Sequence, residues 1–152
     1  MSFANEHSVG RHLTSLSGGA GTATAAGTGD ATEVNGPWGD RTTYGSQSCV
    51  VVITYKAVLA EDKTLSFAGN LQDATAAAGT GAADFGTAFT ATVVATGPSG
   101  GATVEGTYEC LLTNLAGARA FIRAQITPDL SNTATDTLTW SAAIIMPKSE
   151  GF

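Results

Sequence analysis

From about residue 32 onward, short apolar runs alternate with turn signals at the spacing of a sandwich or barrel. Thr64 to Gln72 sets Leu65, Phe67 and Leu71 on one side and Ser66, Asn70 and Gln72 on the other, the period of two of a half-buried strand. Ala102 to Leu112 repeats the pattern, with Val104, Tyr108, Cys110 and Leu112 opposite Thr103, Glu105, Thr107 and Glu109. Thr135 to Met146 does so again, sending Leu138, Trp140, Ala142, Ile144 and Met146 inward. Arg119 to Thr127 alternates Ile122, Ala124 and Ile126 against Arg119, Phe121, Arg123 and Gln125, and Pro128 is expected to end it. Ser48 to Val58 is β-branched and apolar almost throughout its first half, which predicts a central strand covered on both faces.

The punctuation suggests the connections. Ala60 to Lys63 is a polar turn that makes Ser48–Val58 and Thr64–Gln72 a hairpin. Gly97 to Gly101 is a sharp break that makes a second hairpin of Thr87–Thr96 and Ala102–Leu112. Asp73 to Gly86 reads as a long loop, and no segment has a useful helical period. The fold class expected is all-β, an antiparallel β-sandwich of jelly-roll type.

Residues 1–31 differ from the rest, running LTSLSGGAGTATAAGTGD after His12 with no sustained apolar period. Such a stretch cannot bury a core by itself, so it is expected to be an extended arm lying on neighbouring subunits. The division is then an arm over 1–31, a sandwich over 32–147 and a tail over 148–152. The opening residues contain no long apolar run, so neither a secretory signal nor a membrane span is expected.

Composition narrows the function. Of the 152 residues 43% are apolar, enough for one core, while only 13% are charged, which disfavours a charge-laced helical bundle. The seven basic residues never cluster and the net charge is -6, so nucleic acid is not an expected partner. Cys49 and Cys110 are compatible with a pair or with two buried thiols; nothing points to an oxidising compartment, which favours thiols.

Catalysis needs an acid, base or nucleophile beside an orienting group, and the only histidines, His7 and His12, lie in the low-complexity segment. No catalytic residue, cofactor or metal is therefore nominated. Asp129 and Asp136 flank a polar turn, but the acidic residues there are too sparse for a calcium loop. The candidates that remain are for contact. Phe121 shares the polar side of its strand with Arg119 and Arg123, as an interface anchor or as packing under a loop. Trp38 and Tyr44, in GPWGDRTTYG, suit a clamp on the arm better than stacking on a sugar.

Four segments carry a family resemblance: Thr28-Gly29-Asp30, Ile53 to Leu65, Ala95 to Gly101, and Thr127 to Thr137. Taken in order, they make residues 29 to 147 resemble a group of small tailed-phage virion proteins. The resemblance implies a capsid decoration, or cement, protein on the outer head shell. It further implies a homotrimer that bridges subunits of the major capsid protein, with no catalytic residues. A tail or head-tail fitting is the alternative within that resemblance. A carbohydrate-binding module using Trp38, Tyr44 or Trp140 is the alternative of another class.

Overall fold

A computed structural model of the chain describes residues 13–131 and 135–148. His7 and His12, the first part of the expected arm and most of the tail lie outside those residues. Among the described residues nine strands run in order: β1 (Leu13–Thr24), β2 (Val34–Asn35), β3 (Gly39–Asp40), β4 (Ser48–Leu59), β5 (Thr64–Ala74), β6 (Ala83–Thr96), β7 (Ala102–Asn114), β8 (Phe121–Leu130) and β9 (Thr137–Pro147). A short 3-10 turn, Thr42–Tyr44, precedes β4.

The strands form two antiparallel sheets, β1-β9-β4-β7 and β2-β8-β5-β6, with β3 also pairing with β8. β2 and β3 act as one interrupted edge strand, since they meet β8 at Ile126–Gln125 and again at Ile122–Phe121. Counting that pair once leaves eight described strands in two four-stranded sheets, with successive strands β4 to β5 and β6 to β7 crossing between the sheets. This is the jelly-roll sandwich expected from the alternation. Phe67, Ile53, Leu65, Leu71, Ile122, Ile126 and Ile144 fill the space between the sheets with essentially no exposure.

The two expected hairpins are not hairpins. β4 pairs with β7 and β9 while β5 pairs with β6 and β8, so Ala60–Lys63 is a corner between sheets, as is Gly97–Gly101. A turn signal marks a reversal of direction and is silent on which sheet the next strand joins. β5 and β6 do pair as sequence neighbours, so both ends of the expected loop at 73–86 are strand and the connection narrows to residues 75–82. β4 is central, but its outward residues Thr54, Lys56 and Val58 are not buried, so only one of its faces is covered.

The arm expected over 1–31 is in part a strand of the sandwich, because Leu13–Thr24 pairs along β9 at the sheet edge. Its small residues are a packing requirement. A methyl group on Gly18 would lie 2.9 Å from the Ala142 Cβ, and one on Gly21 would lie 3.2 Å from the Trp140 indole nitrogen. β9 brings the bulk and β1 supplies the room. Removing residues 1–28 would strip this strand from the sheet.

Pro128 lies within β8 rather than at its end. Its carbonyl accepts the Ala31 N–H at 2.9 Å, and the ladder to β2 has already stopped at Val34–Ile126. The missing N–H of proline therefore faces the side where no regular partner needs it.

Leu112, expected inward from the alternation, is 80% exposed. The β4–β7 register shifts between Val51 and Val52, leaving Cys110 as an extra residue. This bulge moves the inward side from Cys110 to Thr113 and turns Leu112 out.

Candidate functional site

The outer face of the second sheet holds most of the contact candidates. Outward residues alternate along β8 as Phe121, Arg123, Gln125 and Thr127, facing Ala74, Gln72, Asn70 and Ala68 of β5. Trp38, in the link between β2 and β3, covers Arg123, whose guanidinium carbon sits 4.6 Å from the ring centroid. The same guanidinium donates to Gln72 Oε1 from Nε at 3.0 Å and from Nη2 at 2.7 Å. Gln72 then passes its own Nε2–H to Asp84 on β6 at 2.9 Å. One residue pair along, Gln125 donates to Glu33 and Asn35 at 2.8 and 2.7 Å. Side-chain hydrogen bonds thus knit this face across its four strands into a stiff polar surface.

Arg119 and Tyr44 do not join that surface. Arg119 precedes β8 and turns to Asp73: its backbone N–H donates to Oδ2 at 2.8 Å and its Nε to Oδ1 at 2.9 Å, while Nη1 reaches the Gly81 carbonyl. The pair fastens the β5–β6 turn to the start of β8. Arg41 does similar work one loop away, donating to the carbonyls of Arg119, Ala118 and Ser46. Tyr44 packs against the core and is a clamp within the domain. Trp140 is 3% exposed and lies edge-on to Phe67, so it offers no ring to a sugar.

Asp73 is 4% exposed. Burial pushes its carboxyl up, but donation from Arg119 outweighs this and holds it below the ordinary 3.8. Because the folded value lies below the unfolded one, the stabilisation is complete above the unfolded value and disappears as pH falls through the folded one. Asp73→Asn is therefore expected to lower stability at neutral pH and to flatten the acid limb below about pH 4, where wild type loses stability more steeply. Urea midpoints from about pH 7 to about pH 2 check this; parallel acid limbs would refute it.

The four segments that carry the resemblance meet at one end of the sandwich. Asp30 accepts the N–H groups of Ala26 and Leu130, each within 2.8 Å, and Asp136 Oδ1 accepts the Ala60 N–H at 2.9 Å. Thr64 donates its N–H to the Ser131 hydroxyl, and Ser131 returns its own N–H to the Thr64 carbonyl. Glu61 accepts the Gly100 N–H at 3.0 Å, which holds its carboxyl below the ordinary range. The corners of the fold are thereby locked to one another, and the motifs serve that purpose. Asp129 is exposed on β8 whereas Asp136 is 1% exposed with this backbone partner, so they do not face a common cation. Residues 132–134 of the turn between them lie outside the described residues.

Cys49 and Cys110 are separate buried thiols. Burial pushes Cys49 up to about 11 and Cys110 up to about 12, so both stay protonated and unreactive at neutral pH. Among the described residues no group of three His, Cys, Asp or Glu side chains is placed to hold a metal, and no helix is long and apolar enough to cross a membrane.

Fold and face together define an all-β jelly-roll domain with broad sheet surfaces. No family model matches the chain and no curated protein matches it. Solved structures do. Infectious bursal disease virus of the Gx strain aligns at 11% identity with a TM-score of 0.43, over 91% of this chain and 32% of that one. The VP2 subviral particle of infectious bursal disease virus aligns at 9% identity with a TM-score of 0.42, over 90% and 32%. The chain thus spans about a third of the length of the chains it matches.

Proposed function

We propose that this chain is a structural protein of a virus particle, and more narrowly a decoration, or cement, protein of a tailed-phage head. It binds the outside of the shell and bridges subunits of the major capsid protein. The observation that carries this reading is the jelly-roll frame itself, whose locked corners coincide with the segments resembling phage virion proteins. Such a frame performs no catalytic step here and needs no cofactor, nucleic acid or membrane; its work is mechanical. Packaged DNA pushes a shell outward, and a rigid body touching several subunits adds contacts that must break before the shell opens. The polar face bearing Arg123, Phe121 and Trp38 suits that contact, because its side chains are already fixed and lose little freedom on docking. The homotrimer is the state that the resemblance implies.

Adding the purified protein to heads that lack it, followed by imaging, tests this. Density over the outer shell in hundreds of copies is expected, with Phe121→Glu losing it while the folded domain persists. A few copies confined to the tail would overturn the shell reading in favour of a tail fitting. Glycan binding lost on Trp38→Ala, with no head binding, would overturn the virion reading altogether.

A further inference from the structure

The outer face of the first sheet is unlike that of the second. Its residues stand in rows across β1, β9, β4 and β7, fixed by the three strand registers. One half is hydroxyl-rich: Ala20, Ser141, Thr54 and Thr107 form a row, and Thr22, Thr139, Lys56 and Glu105 form the next. There Thr54 and Ser141 share a hydrogen bond at 2.9 Å, and Lys56 pairs with Glu105 at 2.7 Å. The other half is apolar along its centre: Val52 lies beside Ala143, Val50 beside Ile145, and Leu112 extends the Val50 row to one edge, with Ser15, Ser17 and Glu109 at the remaining edge positions. Of the four exposed large apolar side chains among the described residues, Leu13, Val58 and Leu112 stand on this face, at 40%, 46% and 80% exposure.

We propose that this face binds a second copy of the same chain through a twofold axis running parallel to the strands. Area is the first argument. Strands of 12 residues in β1 and β4 span about 40 Å, and four strands span about 19 Å, giving on the order of 750 Å² on each copy. Stable specific contacts bury about 600–1,000 Å² on each partner, so the whole face suffices and the apolar half alone does not. Both sheets carry the same twist, which lets them pack face to face in the aligned arrangement.

Self-complementarity is the second argument, and it selects the axis. With the axis along the strands each row meets itself in reverse, so that β9 lies over the partner's β4 and β1 over its β7. Ile145 then meets Val50, Ala143 meets Val52, Lys56 meets Thr139, Glu105 meets Thr22 and Glu109 meets Ser17. Leu112 meets Ser15 at the edge, no like charges face each other, and the apolar centres of the rows coincide. An axis across the strands would instead drive Lys56 onto Val50 and Glu105 onto Leu112, burying charge against hydrocarbon. The contact leaves the polar face of the other sheet free.

Sedimentation across a concentration series tests the proposal on the full chain. Wild type is expected to form a dimer, or an assembly with a twofold between its parts, and Ile145→Glu to lose that step with an unchanged circular dichroism spectrum. Phe121→Glu, on the opposite face, is expected to associate as wild type does. Val50→Lys alone is also expected to dissociate. Mixing it with Ile145→Glu is expected to restore a mixed pair, because the introduced ammonium of one copy then faces the introduced carboxylate of the other. A wild type that stays monomeric or stops at a trimer overturns the proposal. So does association that survives Ile145→Glu, or a mixture of the two folded variants that remains dissociated.

Discussion

Phe67→Ala is expected to cost about 3–5 kcal/mol of folding stability, read as a fall in the urea midpoint with little change in slope. Phe67 stands on β5 and has no exposed surface. It reaches across to the other sheet, where its ring lies 6.1 Å from Tyr55 on β4 and 6.0 Å, edge-on, from Trp140 on β9. Those three rings are the aromatic bridge between the layers, so truncation removes packing on both sides of a single cavity. The sheets cannot close on it readily. Tyr55 is held by its hydroxyl, which donates to the Val94 carbonyl of β6 at 2.9 Å, and Trp140 is held over Gly21. A domain of this size has about 5–15 kcal/mol in total, so a large share of its stability rests on one side chain. Val58→Ala, at a position 46% exposed on the outer face, is expected to change stability by less than about 0.5 kcal/mol in the isolated chain. Equal losses for the two variants would refute the assignment of the core.

The alternation that places Phe67 inward also places Leu65, Leu71, Leu138, Trp140 and Ile144 correctly, because burial on one face of a strand imposes a period of two. It fails where backbone geometry, not burial, decides. A one-residue bulge at Cys110 turns Leu112 outward, and no composition signal marks a bulge without glycine. β1 carries no such period, because an edge strand packed beneath Trp140 needs glycine where the pattern demands bulk. Corners and hairpins share turn chemistry, so the pairing of strands is legible only in the structure. Of the contact candidates, Arg123, Phe121 and Trp38 come together on one surface, whereas Arg119 and Tyr44 are taken up by internal bonds and packing. Gln72, Gln125, Asp73 and Asp136 carry much of the polar architecture yet look like ordinary strand and turn residues, since their roles depend on partners distant in sequence.

The same dependence on distant partners makes Gly69 the second position of large effect, with Gly69→Ala expected to cost about 3 kcal/mol or more. Gly69 lies inside β5, between β6 and β8, and pairs with Phe89 and Ile126. A methyl group there would lie 2.1 Å from the Gln125 carbonyl oxygen and 2.8 Å from the Phe89 ring. The ring can swing away; the carbonyl is backbone in the central ladder and cannot move without breaking it. The β5–β6 register shifts on both sides of Gly69, which shows how tightly the strand bends to fit. Gly100→Ala provides the contrast: its φ is +79° but nothing lies within 4 Å, so only the backbone cost of about 1 kcal/mol is expected. Two obstacles at Gly69 predict two different behaviours in Phe89→Ala. If the ring were the barrier, adding Gly69→Ala to Phe89→Ala would cost nothing further. Because the carbonyl is the barrier, the alanine is expected to keep most of its cost in the double variant, and thermal melts of wild type, the two single variants and the double variant measure which holds.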